Sequence, residues 1–182
     1  MRETVKPIEI GEIEAARARL QGLRLCAPLQ DFDAPPAGKT VKLKLENLQP
    51  IGSFKIRPIG NAVLARARSA LAGGLYTTSS GNSALGVAYM ARRLGIAATA
   101  IVPANAPAAK LDKLRRLGAR IDVRPADAWW HAVESGTLAD QPGVYIDAVR
   151  DPASLAGDAT IGVEILAQWP EVEAILVPFG GG

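Results

Sequence analysis

Two segments carry residue types that could react with an aldehyde and bind a carboxylate. Lys55 lies within the run Glu46-Asn47-Leu48-Gln49-Pro50-Ile51-Gly52-Ser53-Phe54-Lys55-Ile56-Arg57, with apolar neighbours on both sides and a cation two residues on. Lysine attacks aldehydes through its neutral amine, and apolar surroundings or a nearby positive charge favour that form. Taken alone, Lys55 reads as an ordinary surface lysine, because lysine is rarely buried. Its function therefore depends on what surrounds it.

The second segment, Ser79–Ser83, lies between a predicted strand and a predicted helix. Backbone N–H groups and the positive end of the helix dipole can bind a carboxylate at such a place. A plain helix cap explains an isolated Ser-Gly-Asn sequence equally well. The surrounding motifs must therefore decide between a cap and a binding loop.

A third segment, Gly180–Gly182, follows an apolar run that is predicted to be a strand. Glycines allow several backbone N–H groups to converge on a phosphate. A glycine run can also be a mere linker. The apolar strand before it favours a phosphate loop.

The elements that must position these segments alternate along the chain. Val41, Leu43 and Leu45 alternate with lysines, which predicts a strand over Thr40–Glu46. From Gly74 onward, strands alternate with helices, and this order indicates a parallel sheet covered by helices. The predicted strands are Leu75–Thr78, Ala98–Val102, Arg120–Val123, Val144–Ile146 and Ala174–Val177, and the predicted helices are Glu12–Leu20, Asn82–Leu94, Pro107–Leu117, Asp127–Leu138 and Ala153–Gln168. The first and last strands named, Thr40–Glu46 and Ala174–Val177, are predicted to share one sheet because both lead into ligand-facing loops.

Composition excludes several classes of protein. The 182 residues are 48% hydrophobic and 21% charged, which is enough for a globular core, and the net charge is only +3. With 5% aromatic residues there is no stacking platform for nucleic acid. The apolar stretches are shorter than the roughly 20 residues of a membrane span. A single cysteine, Cys26, predicts a reducing, cytoplasmic setting, and no His/Cys cluster has the spacing of a metal site.

Together the three segments resemble the signatures of the pyridoxal-5′-phosphate (PLP) enzymes of the threonine dehydratase and serine racemase family. The resemblance covers nearly the whole chain. It implies an α/β fold of parallel sheets with flanking helices, the tryptophan synthase β-subunit-like PLP fold, also called fold type II. It divides the chain into a large PLP-binding domain, residues 1–72 and 147–182, and a small α/β domain, residues 73–146. Because the family continues beyond this point, the chain is expected to be a truncated, amino-terminal part.

The resemblance also assigns roles. Lys55 falls where the family binds PLP covalently, and Ser80 falls where a serine can act as an acid or base, so these two are the candidate catalytic residues. The expected cofactor-binding residues are Phe54, Lys55, Asn82, Gly180, Gly181 and Gly182, and the expected substrate-binding residues are Ser79, Ser80, Gly81, Asn82 and Ser83.

The expected reaction is β-elimination from a hydroxy amino acid such as L-threonine or L-serine, giving a 2-oxo acid and ammonia. A racemase of the same family is one alternative, and a non-catalytic fragment or one part of a split assembly is another. The expected partner is a second copy of the chain or the missing C-terminal part. In that case Ile175, Val177 and Phe179 should be exposed or covered by another chain.

Several residues depart from the family pattern. Pro58 stands where glycine is usual, and proline fits only the first turn of a helix. The helix after Lys55 is therefore predicted to start late, or Lys55 to lie in an altered loop. Ser83 and Leu85 replace a common histidine and glutamine, which leaves the substrate open. Asp158 and Ala159 replace glutamine and glycine.

Overall fold

The computed structural model describes residues 6–136 and 138–178, so Phe179 and Gly180–Gly182 lie outside the described residues. The helices are α1 Ile10–Arg19, α2 Ile56–Leu64, α3 Asn82–Leu94, α4 Ala108–Arg116, α5 Ala126–Ser135 and α6 Pro152–Gln168. The strands are β1 Leu29–Asp31, β2 Lys42–Lys44, β3 Leu75–Thr77, β4 Ala98–Pro103, β5 Arg120–Arg124 and β6 Val144–Tyr145, with short 3-10 helices at Glu46–Leu48 and Arg68–Leu71. All five predicted helices and the four predicted strands between Leu75 and Ile146 are confirmed, with ends that shift by a few residues.

The four strands β3 to β6 form a parallel sheet in the order β5-β4-β3-β6. Leu75 of β3 is paired with Ala98 of β4 on one side and with Val144 of β6 on the other. The chain thus builds outward from β3 to β5 and then returns to the opposite side of β3. This reversal is a topological switch point, where α/β sheets bind ligands at the carboxyl ends of their strands. The loop that follows β3, which contains Ser79–Ser83, begins at that edge.

The predicted α/β class with a parallel sheet and flanking helices is confirmed. All four parallel strands fall within residues 73–146, the predicted small domain. The division of the chain into two domains itself stays a prediction.

Helix α2 is buried along nearly its whole length, from Ile56 to Val63. It is enclosed because neighbouring helices approach it through glycines. A Cβ atom at Gly86 of α3 would lie 3.0 Å from the Ile59 side chain, and one at Gly157 of α6 would lie 2.5 Å from the backbone oxygen of Arg57. The helix that follows Lys55 is therefore held on two sides by close packing.

Pro58 does not delay this helix. Helix α2 begins at Ile56, with Lys55 as its N-cap residue, so Pro58 is the third helical residue. Its missing N–H would have had no partner within the helix at this position. The prediction that Pro58 lies in the first turn is confirmed, and the predicted late start is wrong.

The prediction that Thr40–Glu46 and Ala174–Val177 share a sheet is wrong. Strand β2 pairs antiparallel with β1 in a separate two-stranded sheet, through Leu29 opposite Lys44. Residues 174–177 form no strand within the described part of the chain. A strand requires neighbouring backbone groups, and the apolar character of this segment supplies none by itself.

The exposure predicted for this segment is confirmed at the positions that can be checked. Ile175 is 47% exposed and Val177 is 75% exposed, and Leu176 between them is 95% exposed. Phe179 lies outside the described residues. No helix described for this chain has both the length and the apolar character needed to cross a bilayer.

The contact between α6 and α2 can be tested at Gly157. Gly157→Ala should lower the free energy of unfolding by about 2 kcal/mol, because its Cβ would press on the backbone of Arg57 and Pro58. Gly162→Ala is the matched control on the same helix, with open space around it among the described residues. It should raise stability by about 0.5–1 kcal/mol. Urea unfolding of both variants measures the difference, and equal effects would contradict the packing described.

Candidate active site

Lys55 lies at the start of α2, half-buried, with its Nζ atom 4.5 Å from the centre of the Phe54 ring. This cation–π contact is the amine's one direct side-chain partner, since within the described residues Nζ makes no hydrogen bond or ion pair. An amine that is not tied to a carboxylate can react with an aldehyde once it loses its proton. Lys55 is therefore available for covalent bonding to a ligand.

Ser53, two residues before Lys55, is 8% exposed. Its Oγ atom is buried and has no hydrogen-bond partner among the described residues. A buried hydroxyl without a partner costs stability, so such groups require an explanation. A polar ligand bound next to Lys55 would provide the missing hydrogen bond.

The loop Ser79–Ser83 opens helix α3, with Gly81 as the N-cap residue and Asn82 as the first helical residue. No described side chain caps this helix end; instead the Ser79 Oγ atom accepts a hydrogen bond from the Gly81 N–H at 3.1 Å. The side chains of Ser80, Asn82 and Ser83 make no hydrogen bond to other described residues. Asn82 is exposed, and the other four residues are half-buried.

This uncapped helix end has the chemistry of an anion site. The first N–H groups of a helix have no intrahelical partner and carry the positive end of the helix dipole. Here they open at the switch point of the sheet. A substrate carboxylate fits both the charge and the hydrogen-bond donors of the loop.

Helix α2, which follows Lys55, packs on helix α3, which begins at Asn82. Lys55 precedes Ile59 by four residues, and Asn82 precedes Gly86 by four residues, so each lies about 6 Å along its helix from the Ile59–Gly86 contact. A shallow cavity lies beside this contact, but neither Lys55 nor Ser79–Ser83 lines it. Its lining comes from the segment before Lys55, from α3 and from the end of α4: Pro50, Ile51, Leu85, Tyr89, Lys113, Arg116 and Leu117. The convergence of Lys55, Asn82 and Gly180–Gly182 on one cleft stays a prediction, and the glycines lie outside the described residues.

Arg57 is not the free cation that the sequence indicates beside Lys55. It is 0% exposed and binds two carboxylates. Its Nε and Nη2 atoms donate to Glu46 at 2.8 and 2.7 Å, and its Nη1 and Nη2 atoms donate to Glu164 at 3.0 and 2.8 Å. Each carboxylate binds the guanidinium through two hydrogen bonds. The two pairs neutralise the charge of Arg57 and fix the orientation of its side chain. The role of Arg57 is therefore to hold the helix that carries Lys55.

Glu164 extends this arrangement into a buried ion cluster. It also pairs with Lys44 at 2.8 Å and with Arg24, and its side chain is 5% exposed. Burial acts to raise the pKa of Glu164, but hydrogen bonds from Arg57 and Lys44 outweigh it, so the pKa lies below its usual range. The cluster joins β2, the following 3-10 helix, α2 and α6.

Sequence reasoning missed this cluster. The sequence feature that could have predicted it is the presence of charged residues inside apolar runs. Arg57 lies between Ile56 and Pro58, and Glu164 lies between Val163 and Ile165. Charged residues in such positions are rarely buried unless they are paired.

The ion cluster predicts a loss of stability in acid. A carboxylate whose folded pKa is lowered stabilises the fold above its unfolded pKa, and this contribution is lost as the pH falls through the folded value. The free energy of unfolding should therefore decrease as the pH falls below about 4.3, the unfolded value for glutamate. Glu164→Gln should remove part of that dependence, whereas Glu14→Gln, in an exposed pair with Arg17, should keep the wild-type slope. Urea unfolding at pH 6 and pH 3 measures it, and equal slopes for all three proteins would contradict the prediction.

The chain is an α/β protein with an available lysine at one helix start and an uncapped serine–glycine loop at another. Residues 24–182 match the family model described as pyridoxal-phosphate dependent enzyme, and the chain belongs to this family. The residues fit the cofactor of this family, since an available amine lies two residues from an unpaired buried hydroxyl, and the next helix packed on α2 has an uncapped start. Among the described residues, no three His, Cys, Asp or Glu side chains are grouped to hold a metal ion.

Proteins of known activity are similar to the chain over much of its length. It is 39% identical to the L-threonine ammonia-lyase of Thermotoga maritima, over 80% of this chain and 36% of that protein. It is 34% identical to the catabolic L-threonine dehydratase of Staphylococcus aureus, over 99% of this chain and 53% of that protein. The structure of maize serine racemase superposes with a TM-score of 0.86 at 31% identity, over 97% of this chain and 55% of that one. The chain thus spans about a third to a half of the length of these proteins.

Proposed function

We propose that this chain forms part of a PLP enzyme that converts a hydroxy amino acid, such as L-threonine or L-serine, into a 2-oxo acid and ammonia. The main support for this proposal is the position of Lys55 at the start of α2. Its amine has no acceptor among the described residues, and the helix that it opens packs on the helix whose uncapped end begins at Ser79–Ser83. The similarity to threonine ammonia-lyases supports the choice of reaction.

In this proposal Lys55 would hold PLP covalently through Nζ, with the Phe54 ring beside the amine. Asn82 would contact the cofactor, and Gly180, Gly181 and Gly182 would hold its phosphate. When bound, PLP supplies an electron sink for the negative charge that develops at the substrate α-carbon.

The remaining steps fall to residues of this chain. The N–H groups and hydroxyls of Ser79–Ser83 bind the substrate carboxylate and so orient the α-carbon towards Lys55. The amine of Lys55 accepts the α-proton. The α-proton and the β-hydroxyl are lost as the elements of water, and water then hydrolyses the resulting enamine to the 2-oxo acid and ammonia.

A racemase is the second candidate, and one observation favours it. The Ser80 hydroxyl is half-buried and makes no hydrogen bond to other described residues, so it is available as a proton donor. In a racemase it would return the proton from the face opposite Lys55. The similarity to maize serine racemase supports the same reading. Supplying L-serine and measuring D-serine against pyruvate separates the two activities.

The covalent role of Lys55 is tested first with PLP alone. Adding PLP to the protein should produce the absorbance band of lysine-bound cofactor near the edge of the visible range. Borohydride should remove the band and leave a stable adduct, which mass spectrometry places on the peptide that contains Lys55. An adduct spread over exposed lysines such as Lys39 and Lys110 would reject the assignment.

The apolar segment Ile175–Val177 supports a proposed partner. Three consecutive exposed apolar residues form a surface that another chain can cover, and we propose either a second copy or a separately supplied C-terminal part. Light scattering should show self-association that Leu176→Asp reduces. A strictly monomeric wild type that turns over L-threonine unaided would contradict this partner.

The proposed location is the cytoplasm. The exposed Cys26, which forms no disulfide, is compatible with that reducing setting.

A further inference from the structure

A side-chain hydrogen bond attaches the start of the loop Ser79–Ser83 to the neighbouring strand of the sheet. Strand β3 ends at Thr77, and the chain bends away from the sheet at Thr78, directly before the loop. The Thr78 Oγ1 atom and the Tyr145 hydroxyl oxygen are 2.8 Å apart, the distance of a hydrogen bond between two hydroxyls. This bond joins the residue before the loop to the end of β6.

The Tyr145 hydroxyl is held in place by the packing of its ring. The ring centre lies 5.3 Å from that of Tyr76, the residue that Tyr145 faces across β3 and β6. A Cβ atom at Gly136, directly after α5, would lie 3.9 Å from the Tyr145 ring. Burial raises the pKa of the Tyr145 phenol, so the hydroxyl keeps its proton at neutral pH. Tyr145 therefore offers Thr78 a fixed, uncharged partner.

Few other side-chain contacts hold the loop. Within it, the Ser79 Oγ atom accepts a hydrogen bond from the Gly81 N–H at 3.1 Å. The side chains of Ser79–Ser83 make no hydrogen bond to described residues outside the loop. A loop binds an anion through N–H groups that converge, and this requires that its position be fixed before the anion arrives. The bond at Thr78 supplies such a restraint on the strand side of the loop.

We propose that Tyr145 is a positioning residue for the loop Ser79–Ser83 and that it acts through Thr78. By holding Thr78, it limits the movement of the loop relative to the sheet and so favours the arrangement in which the loop binds a carboxylate. The consequence for amino-acid binding rests on the proposed function, which assigns the substrate carboxylate to this loop. Tyr145 lies 67 positions from Thr78 and outside the loop motif.

The position of the loop is measured first, without PLP. The rate at which the Gly81 N–H exchanges with solvent, followed by NMR, reports how often the loop opens. Tyr145→Phe keeps the ring and removes the hydroxyl, and it should raise this rate about fivefold, a typical equilibrium factor for one hydrogen bond. Thr78→Val removes the same bond and should have the same effect. Thr78→Ser keeps a hydroxyl and should exchange as the wild type does.

Tyr76→Phe is the matched control. The Tyr76 hydroxyl belongs to the same aromatic pair, but it accepts its hydrogen bond from the Leu138 N–H, at 3.2 Å. Its loss should leave the exchange of the Gly81 N–H unchanged. The double variant Tyr145→Phe/Thr78→Val should exchange no faster than either single variant, because both changes remove one shared bond. A general loosening of the structure would instead add the two effects and would appear in Tyr76→Phe as well.

The second measurement concerns the carboxylate. With PLP bound, L-alanine and ethylamine are titrated separately, and the change in cofactor absorbance gives a dissociation constant for each. L-alanine has no β-hydroxyl to lose, and ethylamine lacks the carboxylate as well. Tyr145→Phe should raise the constant for L-alanine about fivefold and leave that for ethylamine unchanged.

Equal exchange of the Gly81 N–H in the wild type and in Tyr145→Phe would overturn the inference. An equal change in the constants for L-alanine and ethylamine would overturn it too, since the effect would then not concern the carboxylate. The proposed function fails separately: if PLP does not attach to Lys55, that function is rejected, and the exchange rates decide the role of Tyr145 by themselves. Attachment of PLP with unchanged exchange rejects only the role of Tyr145.

Discussion

Lys55→Ala is expected to abolish covalent attachment of PLP and leave the fold intact. The variant removes the one amine at the start of α2, and no other residue can replace its bond to the cofactor. The Lys55 side chain is half-buried and contacts the Phe54 ring rather than the core. Its loss opens no large cavity, so the free energy of unfolding should change by less than about 1 kcal/mol.

The measurement is the borohydride-stable adduct, quantified by mass spectrometry, with circular dichroism and urea unfolding as checks on the fold. Lys110→Ala, on the exposed surface of α4, is the matched control and should form the adduct as the wild type does. Full adduct formation by Lys55→Ala would remove the basis of the proposed function.

The second large effect is expected at Arg57. Arg57→Met should lower the free energy of unfolding by about 3–5 kcal/mol, because it leaves the half-buried Glu46 and the buried Glu164 without their bidentate partner. Urea unfolding measures the loss. Arg115→Met is the control, since Arg115 and its partner Asp112 are each 56% exposed and such a pair contributes at most about 1 kcal/mol.

The same cluster allows a double-mutant test. When Glu164→Gln is combined with Arg57→Met, the loss should be smaller than the sum of the two single losses, since the first change removes one of the charges that the second leaves unpaired. Strictly additive losses would show that Arg57 and Glu164 do not interact in the way the structure indicates.

The sequence by itself determined the alternation of elements and the motifs of the site. Helix α3 shows why: it follows the serine–glycine loop and ends at Gly95, whose φ of 64° is the left-handed conformation typical of a helix terminus. Periodicity, turns and caps depend on neighbours in the sequence. The lysine segment and Ser79–Ser83 could be recognised for the same reason, because each is a short, continuous run.

Only the tertiary structure decided which distant residues meet. Strand β2 pairs with β1 and not with Ala174–Val177, although Thr40–Glu46 and Ala174–Val177 both have the apolar pattern of a strand. Arg57 is neutralised by Glu164, 107 positions away, and α6 touches α2 at Gly157. Such contacts depend on how helices and strands pack in space, and no local pattern encodes them. The charge state around Lys55 therefore follows from the fold and not from the motif.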